Sequence, residues 1–200
     1  MAMKTQVLII HGGTTFDTYS DYQNYLKNTV IDIERLKPSY DWKQSVQQDL
    51  GDDYEVLAPR MPNSTNAKYA EWKLWFTNVL VVTNKNIVLV GHSLGAIFLA
   101  KYLSEEVVHK NILKLILVAA PYTDTPEESL ASFRLKRKLT NVSAQAKTIF
   151  LLHSTDDPVV PFSDMAEYAK RLPTAQSVVF EDRQHFNQAT FPELAKIINQ

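Results

Sequence analysis

The chain has 200 residues and a mass of 22.8 kDa, with 45% apolar and 22% charged side chains, a balance that supports a self-sufficient core and excludes wholesale disorder. Its 21 basic and 22 acidic side chains give a net charge of −1, so the isolated run Arg134-Leu135-Lys136-Arg137-Lys138 is not the footprint of a polyanion-binding protein. There is no cysteine, which excludes disulfides, thiolate nucleophiles, iron–sulfur clusters and Cys-based zinc sites and fits a reducing compartment.

The first apolar run, Val7-Leu8-Ile9-Ile10, stops at His11 and is too short for a secretory h-region. No apolar stretch approaches the ~18 residues of a membrane span, Leu115–Ala120 being the longest candidate. Position 2 is not glycine and no cysteine is available for lipidation. The expectation is a soluble, cytoplasmic protein that binds neither nucleic acid nor membrane.

Val7–Ile10 predicts the first strand. Phe16–Lys43 then breaks the rhythm, with four tyrosines and weak helical periodicity before Trp42. Tyr54–Leu57 predicts a second strand. From Asn66 onward, Tyr69, Trp72, Trp75, Phe76, Val79 and Leu80 fall at helical spacing. Ile87–Val90 is the third strand and Ser93–Leu103 a helix with Leu94, Ile97, Phe98 and Leu99 inward. After a fourth strand at Leu113–Ala119 comes the long segment Pro121–Ala146, with a helix expected over Glu127–Lys138. Thr148–His153 is the fifth strand, Ser163–Leu172 a helix, and Ser177–Phe180 the sixth strand. The last helix opens at Thr190, with Glu193 three residues on as a capping box. Strands that read as continuous apolar runs, alternating with helices, predict a three-layer α/β/α sandwich on about six mostly parallel strands in a single domain, 1–200.

The strongest motif is Ile87-Val88-Leu89-Val90-Gly91-His92-Ser93-Leu94-Gly95: a strand, a G-x-S-x-G turn and a helix. A serine there projects its Oγ from the carboxyl edge of the sheet, and the glycines let strand and helix pack around the turn. The chain has five glycines; two are in this turn and two are Gly12 and Gly13 after the first strand, which implies close backbone approach at both strand ends. The competing reading is a tight turn with an incidental serine.

A serine hydroxyl needs a base, and the base needs an orienting carboxylate. In this architecture the chain order is serine, acid, histidine. His185, after the last strand and before the last helix, is favoured over His109, expected at an exposed helix end, and over His153, which precedes the best acid. The stiff loop His153-Ser154-Thr155-Asp156-Asp157-Pro158-Val159-Val160-Pro161 supplies the acid, and the D-x-x-V-P spacing selects Asp157. Asp156 is the fallback, with a turn or cap bond as its expected work. Asp124 is a third candidate, and Asp182 reaches His185 only by doubling back. The backbone N–H groups of Leu94 and Gly13, with Thr14 as an alternative to Gly13, form the expected oxyanion hole. His11 reads as structural. A metal site from His11, His92 and His153 is the weaker alternative, because no carboxylate-rich spacing supports it.

These residues resemble an α/β-hydrolase, and residues 54–200 resemble the small serine hydrolases of the retinoblastoma-binding-protein-9 type. The resemblance rests on Ala58-Pro59-Arg60-Met61-Pro62-Asn63, Trp72, Gly91-His92-Ser93-Leu94-Gly95-Ala96, Ala120-Pro121-Tyr122-Thr123-Asp124, Ser154-Thr155-Asp156-Asp157-Pro158 and His185-Phe186-Asn187. It implies a Ser93, Asp157, His185 triad on a compact fold without a large lid domain. Two departures stand out. Phe16–Lys43 is longer than its counterpart in that family and, with 121–146, forms an insertion near the active site. Gln184 stands where a glycine commonly precedes the histidine. The expected activity is cleavage of carboxylic esters through an acyl-enzyme, with thioesters and amides sharing the mechanism. The expected partner is a small-molecule acyl substrate, bound near Tyr19, Tyr22, Tyr25 and Pro121–Thr125, with no cofactor and no metal. The alternatives are a non-catalytic binding or regulatory protein on the same fold, and a lyase or acyltransferase on the same triad.

Overall fold

The computed structural model of the protein describes residues 4–37, 41–135 and 138–200. All six expected strands are present: β1 (Thr5–Ile10), β2 (Tyr54–Leu57), β3 (Asn86–His92), β4 (Asn111–Val118), β5 (Ala146–Ser154) and β6 (Gln176–Phe180). They form one parallel sheet in the order β2-β1-β3-β4-β5-β6. The described helices are α1 (Tyr19–Asn28), α2 (Trp42–Leu50), α3 (Tyr69–Val82), α4 (Leu94–Glu105), α5 (Thr140–Gln145), α6 (Ser163–Arg171) and α7 (Pro192–Asn199).

The strands are apolar throughout because both faces are covered. The row Leu8, Leu89, Leu115, Ile149 runs across the sheet in register and packs with Trp72, Phe76, Ile97, Phe98 and Tyr168 from α3, α4 and α6. The alternate row Ile9, Val90, Ile116, Phe150 faces Trp42 and Val46 of α2 and Leu194 and Ile198 of α7. From β1 the chain steps outward to β2, then returns to the other side of β1 as β3. A right-handed crossover made in opposite directions lands on opposite faces, so α2 lies apart from α3–α6. The switch of direction leaves a crevice between the carboxyl ends of β1 and β3, where open parallel sheets bind ligands.

Three local expectations fail for identifiable reasons. The last helix starts at Pro192, with Phe191 as its cap residue and no side-chain cap bond. Proline at the first helical position and burial of Phe191 outweigh a Thr190 capping box, and Glu193 pairs with Arg183 instead (2.8 Å). The helix expected over Glu127–Lys138 is a loop with a single 3₁₀ turn at Ala131–Phe133; Lys136 and Arg137 lie outside the described residues. Asp124 accepts hydrogen bonds from the Leu130 N–H and the Arg134 side chain, both at 2.7 Å, closing that loop and burying Phe133. Within Phe16–Lys43 a capped helix, α1, forms where only weak periodicity was expected: Thr18 and Asp21 make a reciprocal capping box, and no residue of α1 is buried.

The elbow depends on two glycines. A Cβ on Gly95 would fall on the carbonyl oxygens of Ile10 and His11, and one on Gly91 would lie 2.6 Å from the Ala96 Cα. These are backbone atoms of β1 and α4 and cannot step aside. Gly95→Ala is expected to cost at least ~3 kcal/mol, at the upper end of overpacking effects, read as a lowered urea midpoint. An unchanged midpoint would show that α4 is not pressed against β1.

Candidate active site

Ser93 joins β3 to α4 with φ 55° and ψ −124°. A left-handed, non-glycine residue costs on the order of 1–3 kcal/mol and persists only where its surroundings hold it. Here its N–H donates to the Val118 carbonyl (2.9 Å) and its own carbonyl accepts from the Ala96 N–H (2.8 Å). Ser93 opens onto a cavity of about 440 Å³ shared with Gly13, His92, Glu128 and His185.

The loops after β5 and β6 bring Asp157 and His185 together. His185 Nδ1 lies 2.9 Å and 3.1 Å from the two carboxylate oxygens of Asp157. A carboxylate only accepts, so Nδ1 carries the hydrogen and Nε2 keeps its lone pair. The Asp157 side chain is fully buried, and its Oδ1 also accepts from the N–H groups of Val159 (2.8 Å) and Val160 (3.0 Å). Pro158 and Pro161 stiffen the stretch that supplies those donors. Among the described residues no hydrogen bond links Ser93 Oγ to His185.

Asp156 points elsewhere. It accepts from the Ser154 hydroxyl and from the Gln184 N–H (2.9 Å). The Ser154 hydroxyl is the main cause that holds its carboxyl below the usual range. Asp124 is tied to Arg134 and Asp182 to Arg183 (3.3 Å).

Opposite Ser93, the loop after β1 is locked from outside. His11 Nε2 accepts the Met61 N–H (2.9 Å), so Nδ1 is the protonated nitrogen and donates to the Gly12 carbonyl (2.6 Å). Thr14 exchanges backbone bonds with Ser64 (2.8 Å) and Ala67 (2.9 Å). A Cβ on Gly13 would sit 2.7 Å from the Ser64 carbonyl oxygen and 3.4 Å from the Leu94 side chain, so only glycine brings this backbone against the elbow. As the first residue of α4, Leu94 has an N–H with no intrahelical acceptor. The Gly13 N–H likewise donates to no protein acceptor among the described residues. Two free donors thus flank Ser93.

His11 and His92 border the Ser93 cavity and His153 Nε2 lies 3.6 Å from the Asp157 carboxylate, but no metal-ligating cluster occurs among the described residues. His109 is exposed in the loop beyond α4, past the helix end where the sequence had placed it. His153 is buried against the Val160 carbonyl (3.1 Å). Tyr19 and Tyr22 stand outside the Ser93 cavity, whereas Tyr25 lines a neighbouring hollow of about 410 Å³ that shares Thr14 and Glu128 with it. Sequence reading missed Glu128, Trp42 and the role of His92. Burial raises the Glu128 carboxyl, an effect that His185 opposes and Asp157 reinforces. Its position within an expected helix hid it.

Burial holds His92 well below 6.5 and lowers His153 from the same value, so the fold favours the neutral form of both rings. The unfolded chain protonates these rings near pH 6.5 and therefore binds more protons below it. Stability is expected to be full above that value and to fall as the pH drops from 6.5 to 5. His153→Gln should flatten the dependence, and a urea midpoint constant over this range would contradict the neutral assignment.

The serine hydrolase family model matches residues 36–197. Over 163 residues the chain is 30% identical to the serine hydrolase RBBP9 of Rattus norvegicus, covering 80% of this chain and 83% of that relative. The ydeN gene product of B. subtilis superposes with a TM-score of 0.76 at 20% identity, covering 98% of this chain and 97% of that one. Est1E from Butyrivibrio proteoclasticus gives 0.58 at 15% identity, covering 98% and 85%. The chain belongs to the serine hydrolase family and has the compact α/β-hydrolase fold of the RBBP9 type.

Proposed function

We propose that this serine hydrolase cleaves carboxylic esters, or related thioester or amide acyl compounds, through an acyl-enzyme on Ser93. The observation that carries the reading is the His185–Asp157 contact of 2.9 Å in the cavity onto which the strained Ser93 opens. In the forward step Ser93 Oγ attacks the acyl carbon and His185 Nε2 takes its proton. Asp157 holds the ring in the Nδ1–H tautomer and stabilises the imidazolium. The N–H groups of Leu94 and Gly13 receive the oxyanion. The imidazolium then gives its proton to the leaving group. A water molecule, deprotonated by the same nitrogen, releases the acid and restores Ser93. Every step uses side chains and backbone of this chain, and the partner is the small acyl substrate.

A fluorophosphonate probe is expected to label the protein at Ser93, and Ser93→Ala is expected to lose labelling and about 10⁶-fold in turnover while keeping its melting temperature. A folded, unlabelled wild type would favour the binding-protein alternative.

Asp157→Asn should lower kcat by about 10⁴-fold, because an amide cannot hold the reactive tautomer. Asp156→Asn should cost far less, since its amide oxygen still accepts from Ser154 and Gln184. The reverse order in folded variants would move the acid to Asp156.

A further inference from the structure

The loop carrying His185 is strained on both sides. Gln184 (φ 46°) and Phe186 (φ 54°) are both left-handed, and neither is glycine. Residues in that region revert to extended or helical backbone unless their surroundings oppose it. We propose that Trp42 and His92 are positioning residues that clamp this loop, setting where the His185 ring stands relative to Ser93. The proposal rests on the acyl-enzyme reading above.

Two consecutive carbonyls of the loop each accept a ring N–H. Trp42 Nε1 donates to the Phe186 carbonyl at 2.8 Å. His92 Nε2 lies 2.8 Å from the His185 carbonyl, and because a carbonyl only accepts, His92 carries its hydrogen there. Trp42 is fully buried and His92 is nearly so. Their rings meet edge to face at 6.0 Å, and Trp42 packs in the same way on Phe191 at 5.5 Å. Buried carbonyls deprived of these donors would keep an unmet hydrogen-bonding demand.

The two donors come from two separate elements, the end of β3 and the start of α2. His92 precedes Ser93 in the chain, so its bond ties the backbone of the proposed base to the backbone of the proposed nucleophile. Trp42 opens α2, whose Trp42 N–H also donates to the Gln188 carbonyl (3.0 Å) and whose Ser45 hydroxyl donates to the Ala189 carbonyl (3.1 Å). From the far side the Gln184 N–H reaches Asp156 (2.9 Å) and the Arg183 N–H reaches the Ser154 hydroxyl (3.1 Å). The His185 loop is thus held at its centre by Trp42 and His92 and at its entry by the β5 loop. Burial, helped by the charge of Lys43, disfavours protonation of His92 and keeps it neutral.

The test measures kcat, KM and fluorophosphonate labelling rate in four variants. Trp42→Phe keeps the ring packing and loses the N–H, His92→Leu loses the donor, and His92→Gln keeps a donor at the Nε2 position. Phe76→Leu, on the opposite face of the sheet, serves as a stability control. Trp42→Phe and His92→Leu are expected to lower kcat and labelling rate roughly tenfold to a hundredfold, with KM within about twofold, the size expected from a misplaced reacting group. His92→Gln should recover most of the loss. Unchanged kcat in folded Trp42→Phe or His92→Leu, or an equal kcat loss in Phe76→Leu at matched melting temperature, would overturn the clamp. If Ser93→Ala stayed active, the acyl-enzyme reading itself would fall. An inactive Ser93→Ala beside fully active Trp42→Phe and His92→Leu would sink the clamp alone.

Discussion

The structure turns on the contact between the first turn of α4 and the end of β1. Gly95 lies directly against the carbonyls of Ile10 and His11, so strand β1, strand β3 and helix α4 meet with no side chain between them. That approach leaves Ser93 no ordinary backbone conformation, and the left-handed elbow follows. It also sets the free N–H of Leu94 beside the Gly13 loop. The crevice arises because the chain reverses its direction across the sheet at β1.

The two faces of the sheet do different work. Helices α3 to α6 cover the face that builds the elbow, which is backed by aromatic rings packed edge to face, Trp72, Phe98 and Phe133 among them. Helices α2 and α7 cover the other face, and Trp42, Phe186 and Phe191 join that core to the His185 loop. The adjacent carboxylates divide their tasks by direction. Asp157 turns inward to the imidazole, while Asp156 turns to the backbone entering the loop. Gln184 occupies a left-handed position that a glycine would adopt more cheaply. The Asp156 bond to its N–H is one reason it is tolerated there.

The sheet was legible because a parallel strand buried on both faces carries an unbroken apolar run, and each of the six appears where that run lies. The elbow was legible because its parts are contiguous in the chain. The meeting of Asp157 with His185 followed from chain order and loop position, 28 residues apart. Local signals failed where a tertiary contact outweighed them. Thr190 and Glu193 spell a capping box, yet Pro192 and buried Phe191 decide where α7 begins. Glu127–Lys138 has helical composition, yet the bonds of Asp124 to Leu130 and Arg134 bend it into a loop.

By itself the sequence determined the six strands, the covering of the sheet on both sides, and the candidate serine, acid and histidine at strand ends. These depend on periodicity and on neighbours a few residues apart, which a linear chain displays. Tertiary structure alone decided which donors hold the His185 loop. Trp42 reaches Phe186 across 144 residues and His92 reaches His185 across 93. It also decided that Glu128 borders the crevice and that Phe16, Asp17, Asp21 and Tyr25 line the hollow beside it. Such meetings depend on how helices settle on opposite faces of a twisted sheet, and no spacing along the chain encodes that distance.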